Sequence, residues 1–157
     1  MNRRAQRSAA VLFVVCSSAC GTHAVTHTAP DETRPHYSWE IRSGGADDHV
    51  VCSSAAPNAE CVLQGGSRIT LHVAFHSTKQ STTYAGQMKV PFIEGMGQGG
   101  VRDLNAIVPE GGQPVNTSID GEVIRQPGTY PFTLSMTAQQ GSQPGTSLPS
   151  AAKVVVR

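Results

Sequence analysis

From Arg68 to His76 the chain alternates: Ile69, Leu71, Val73 and Phe75 are apolar, while Arg68, Thr70, His72 and His76 between and around them are polar. A period of two puts four apolar side chains on one face of an extended strand. The same alternation recurs at Tyr84, Met88, Val90 and Phe92 against Thr83, Gln87 and Lys89, with Gly86 on the apolar face marking a bulge or a close approach of backbone. It recurs again at Tyr130, Phe132, Leu134 and Met136, where Pro131 on the polar side points to an edge or a strand start. Val154 to Val156 reads as a last strand. Shorter candidates are Tyr37 to Arg42, His49 to Cys52, Cys61 to Gln64, Val115 to Ile119 and Glu122 to Arg125, each bounded by turn-forming residues. No window sustains a helical period. Seven to nine short strands at this spacing predict an all-β chain, an antiparallel β-sandwich first and a partly open barrel second. The Gly-rich stretches Gly95 to Gly100 and Gly141 to Gly145 read as long loops, and Asp120-Gly121 as a turn.

Gln126-Pro127-Gly128-Thr129-Tyr130-Pro131-Phe132 resembles the Pro-Gly-x-Tyr lead-in to the penultimate strand of immunoglobulin-like and PKD-like extracellular domains. The resemblance implies a structural Tyr130 whose hydroxyl bonds nearby backbone. No Trp lies on a central strand between two distant cysteines, so an antibody-type domain is not expected; Trp39 reads as a core or edge plug.

The N-terminus has a different character. Met1 to Arg7 carries three arginines and no acid, Ser8 to Val15 is a short apolar run, and small residues follow around Cys16 and Cys20. This order of regions is that of a signal peptide, and the apolar run is about half the roughly 20 residues a spanning helix needs. Ser17-Ser18-Ala19-Cys20 resembles the lipobox of bacterial lipoproteins, with Ser17 departing from the usual aliphatic residue and Cys16 as a poorer rival. The resemblance implies cleavage before Cys20 and lipid on its sulfur, hence an extracytoplasmic, membrane-anchored protein. Ordinary cleavage after Ala24, giving a secreted or soluble periplasmic protein, is the alternative. The expected layout is therefore residues 1–19 signal peptide, 20–35 flexible polar tether and 36–157 β-sandwich domain.

Composition narrows the functional classes. Removing Arg3, Arg4 and Arg7 turns a formal charge of +1 into −2, which lacks the basic footprint of a nucleic-acid binder. In an oxidising compartment the remaining cysteines, Cys52 and Cys61, form an even pair, and a disulfide is expected; their spacing suits neither a redox motif nor a zinc knuckle. His72 and His76 suggest a metal pair, but on a strand four residues span roughly 13 Å, too far for one ion. A periplasmic copper-handling protein using His and Met88, Met96 or Met136 is the alternative functional reading. No Gly-x-Ser-x-Gly nucleophile motif occurs, Asp31-Glu32 and Asp47-Asp48 read as turn carboxylates, and Asp103, Glu110, Asp120 and Glu122 as single acids among turn residues. Asn116-Thr117-Ser118 fits the N-glycosylation pattern only incidentally. The expectation is a non-enzymatic envelope protein without cofactor, binding or scaffolding an envelope protein or surface ligand whose identity the residues do not specify. Its expected surface is Thr70, His72, His76, Gln87 and Lys89, or the loops around Gly95 to Gly100.

Overall fold

The computed structural model describes residues 33–45, 48–56, 60–76 and 78–157. The chain divides into two units, Met1–Pro30 and Asp31–Arg157, and the described residues belong to the second. The leader and Cys20 lie outside the described residues.

The described residues of the second unit form nine strands: β1 (Tyr37–Ser43), β2 (Val50–Ser53), β3 (Cys61–Leu63), β4 (Arg68–Phe75), β5 (Thr82–Lys89), β6 (Val101–Val108), β7 (Val115–Glu122), β8 (Gly128–Gln140) and β9 (Thr146–Val156). They form two sheets, ordered β2-β1-β4-β7 and β3-β9-β8-β5-β6. All pairings are antiparallel except β3 with β9. With β1, β4 and β7 in one layer and β9, β8 and β5 in the other, this is an immunoglobulin-like sandwich, the expected fold class. Among the described residues the one helical element is a 3₁₀ turn at Gln98–Gly100.

The core forms where the alternation said it would. Ile69, Leu71, Val73 and Phe75 of β4 face Phe132, Leu134 and Met136 of β8, together with Tyr84 and Met88 of β5, all nearly devoid of solvent contact. Trp39 of β1 is buried edge-on to Phe132 at 4.6 Å, and its indole N–H donates to Ser150 Oγ at 2.9 Å. It is a core residue. The Tyr37 hydroxyl donates across the layers to the Leu148 carbonyl at 2.8 Å, and burial pushes its pKa up to about 12. The disulfide joins Cys52 on β2 to Cys61 on β3, so the cross-link ties the margin of one sheet to that of the other.

Several local expectations resolve in detail. Gly86 marks a close approach: register runs unbroken on both sides of β5, and a Cβ there would overlap the Ser135 carbonyl oxygen of β8. Pro131 sits at the start of β8, before its pairing with β5 begins at Thr133, so no ladder bond is lost to the missing N–H. Tyr130 donates to the Gln126 carbonyl at 2.9 Å, as its resemblance implied.

Other expectations need correction. Asp120-Gly121 is no turn; both lie within β7, opposite Thr70 and Ile69. Glycine is required there because the Ile93 γ2 methyl occupies the space a Cβ would take. Glu122 to Arg125 is not a separate strand: Glu122 ends β7 and Val123 makes a single bridge to Ile93. Asp103 lies on β6 rather than in a turn, a strand absent from the expected set. Gly141 to Gly145 is the short connection between two long paired strands rather than an extended loop.

Candidate functional site

The outer face of the β2-β1-β4-β7 sheet follows from the register. Alternation buries Trp39, Ile41, Ile69, Leu71, Val73, Phe75 and Ile119, so the intervening residues face outward in cross-strand rows. One row is Ser38, Ala74 and Asn116; the next is Ser53, Glu40, His72 and Ser118; a third is Arg42, Thr70 and Asp120. Small Ala74 and Ser38 leave a depression of about 570 Å³ lined by Ser38, Glu40, Arg42, Ser53, His72 and Asn116, among others.

Charge on this face is organised around Arg42. Its guanidinium donates to Asp48 at 2.8 Å and to Glu40 at 2.9 Å. These bonds hold the Arg42 pKa above its ordinary value, the one to Asp48 contributing most, and the same bond holds Asp48 below the usual carboxylate range. One strand further on, Thr70 Oγ1 donates to Asp120 Oδ1 at 2.6 Å. Asp48 is thus a partner of Arg42 rather than half of a carboxylate pair.

At the upper end of β1 a second cluster forms. The His36 and His76 rings stack at 4.5 Å, nearly parallel at 9°. His36 Nδ1 donates to the Arg34 carbonyl at 3.2 Å, and His76 Nε2 lies 3.0 Å from Ser38 Oγ. Below them the Tyr84 hydroxyl reaches from the other sheet to the His36 and His76 carbonyls at 3.0 and 2.9 Å and accepts from the His36 N–H at 3.1 Å. Burial, then the neighbouring His36, lowers the His76 pKa. The Ser38–His76 contact has the reach of a nucleophile and base, and the neighbour described for the His76 ring is the His36 imidazole stacked on its face, which cannot orient the ring as a carboxylate at Nδ1 would. Ser150-Ala151-Ala152-Lys153 spells the Ser-x-x-Lys spacing, yet on β9 residues three apart point to opposite faces, and Ser150 Oγ accepts the Trp39 indole.

The residues expected to share one binding surface do not. Thr70 and His72 lie on the outer face of β4, and His76 just beyond its end. Gln87 and Lys89 are on β5, on the outer face of the opposite sheet, where Gln87 donates to Asp103 at 3.0 Å. The sandwich separates the two groups by its full core. Two of the three methionines of the metal reading are divided from His72, since Met88 and Met136 are buried between the sheets while His72 faces outward; Met96 is partly buried against the core. Among the described residues no group of three or more His, Cys, Asp or Glu is placed to hold a metal ion. Sequence reasoning missed the His36, Ser38, His76 and Tyr84 cluster, which depends on the β1–β4 register pairing Tyr37 with Phe75; no local signal encodes that register.

No family model and no curated protein matches the chain. Among solved structures, the ASH / PapD-like domain of human CEP192 (PapD-like domain 7) is similar at 14% identity, with a TM-score of 0.38 and 96% of each chain covered.

Proposed function

We propose that the domain is a non-enzymatic binding or scaffolding module of the bacterial envelope, exported by its leader, held to a membrane by lipid on Cys20, and engaging its partner through the outer face of the β2-β1-β4-β7 sheet. The observation that supports the site is the depression beside Glu40, Arg42 and His72. Its lining comes mostly from paired strands, and the Arg42 ion pairs hold Arg42 and Glu40 in place, so these two charged groups lose little side-chain freedom on binding. The leader-like order of the first residues and the polar segment after it support this address, because an exported, tethered domain requires both.

Two measurements test this reading. Labelled palmitate should enter the protein and be lost in Cys20→Ala; unlabelled wild-type protein removes the anchor from the proposal. Cross-linking in intact cells should capture a partner with wild-type protein and with Gln87→Glu/Lys89→Glu, but not with Glu40→Arg/His72→Glu. Equal capture by both variants would move the site off this face.

A further inference from the structure

Among the described residues, the sheet edges other than β6 are each blunted over at least part of their length. β2 has four residues and a register shift against β1, and β3 has three residues and is held to β2 by the disulfide. The end of β7 is covered by the segment after β5, through Glu94 N–H to the Glu122 carbonyl at 2.8 Å and Ile124 N–H to the Phe92 carbonyl at 2.9 Å. β9 runs past β3 with an open margin, and Pro149 stands in it. Short length, bulges, coverage and proline are the devices by which proteins prevent edge-to-edge pairing.

β6 has none of these. It is the edge of the five-stranded sheet, its eight residues pair one to one with Lys89 to Thr82 without a shift, and it contains no proline; its charges are Arg102, at an inward position near one end, and Asp103 on the outward row. Its outward row is Val101, Asp103, Asn105 and Ile107, and the two apolar members are 45% and 68% exposed. β-branched side chains left this open on a regular edge are a cost unless something covers them.

The sequence of β6 is complementary to itself. In an antiparallel pairing of two copies about a two-fold axis through Leu104, residues whose numbers are mirrored about 104 come opposite one another. Val101 of each copy then faces Ile107 of the other, and Asp103 faces Asn105, so both exposed apolar residues are covered and each carboxylate meets an amide donor. Mirrored residues have the same parity, so the free N–H and C=O groups of one edge meet those of the other. We propose that β6 is a self-association edge through which two copies of this chain join their five-stranded sheets into one continuous ten-stranded sheet.

Sedimentation of the purified full chain from about 1 μM to 1 mM tests this. The expected result is a concentration-dependent dimer whose dissociation constant rises at least about tenfold in Ile107→Lys, with the circular dichroism unchanged. Register is tested by single cysteines. Oxidising an equimolar mixture of Val101→Cys and Ile107→Cys should give a peptide joining 101 to 107 by mass spectrometry, while either variant alone gives no 101–101 or 107–107 link. A monomer throughout the range, wild-type affinity in Ile107→Lys, or symmetric links in the single variants would each overturn the proposal.

Discussion

The Tyr84 hydroxyl is a single atom joining the two sheets at the start of β1, and its removal gives a sharp expectation. In Tyr84→Phe the ring keeps its packing against Phe75, 5.1 Å between centroids, so no cavity forms. What is lost is the acceptor for the His36 N–H and the donor to the His76 carbonyl. The His36 carbonyl retains the His76 N–H at 3.1 Å. Leaving a partly buried N–H without its acceptor costs about 1–3 kcal/mol, the range for an orphaned polar group. Tyr130→Phe is the control: its hydroxyl bonds an exposed carbonyl that water can serve instead, so the loss there is under about 1 kcal/mol. The assay is urea unfolding followed by emission of Trp39, the protein's lone tryptophan and a core residue. A Tyr84→Phe loss no larger than that of Tyr130→Phe, at equal denaturant slopes, would refute the view that this hydroxyl bridges the layers.

Reduction of Cys52–Cys61, or Cys52→Ser, should lower stability by about 2.5–3 kcal/mol, from the loop entropy of a nine-residue separation, while the β signal in circular dichroism persists below the transition. Gly86→Ala should cost more than about 3 kcal/mol or prevent folding, because the obstruction is β8 backbone; Gly121→Ala should cost about half that, since only the Ile93 methyl must move, and urea midpoints separate the two. The His76 pKa is lowered in the fold, so the unfolded chain takes up the proton first. Stability is therefore full above the ordinary histidine range and falls as pH drops through about 6.5 towards the folded value, and His76→Gln should flatten that slope in unfolding measured between pH 8 and about 5.

How much of this was legible depended on the kind of information each feature needs. β4 was plain because its four inward residues are all large and apolar, while its outward ones are Arg68, Thr70, His72 and the small Ala74. β6 was not, because Val101 and Ile107 face outward while Arg102 occupies an inward position, which erases the contrast that a period of two relies on. Asp120-Gly121 carries a strong turn signal, overridden by Ile93, a residue distant in sequence that needs the space above a glycine within a strand. The disulfide followed from counting cysteines. For the site, alternation told inward from outward for Thr70, His72, Gln87 and Lys89, but it carries no information on which sheet a strand joins. That assignment depends on long-range pairing, and it divided one expected surface into two.

The parallel pairing of β3 with β9 has a mechanical consequence. When the end of β9 is pulled along the strand while β3 is held, the hydrogen bonds between them are loaded together in shear instead of opening one by one like a zipper. The disulfide behind β3 keeps that strand fastened to β2 while the load is borne. Such a joint yields late and abruptly, so the last strand resists extraction along its own axis.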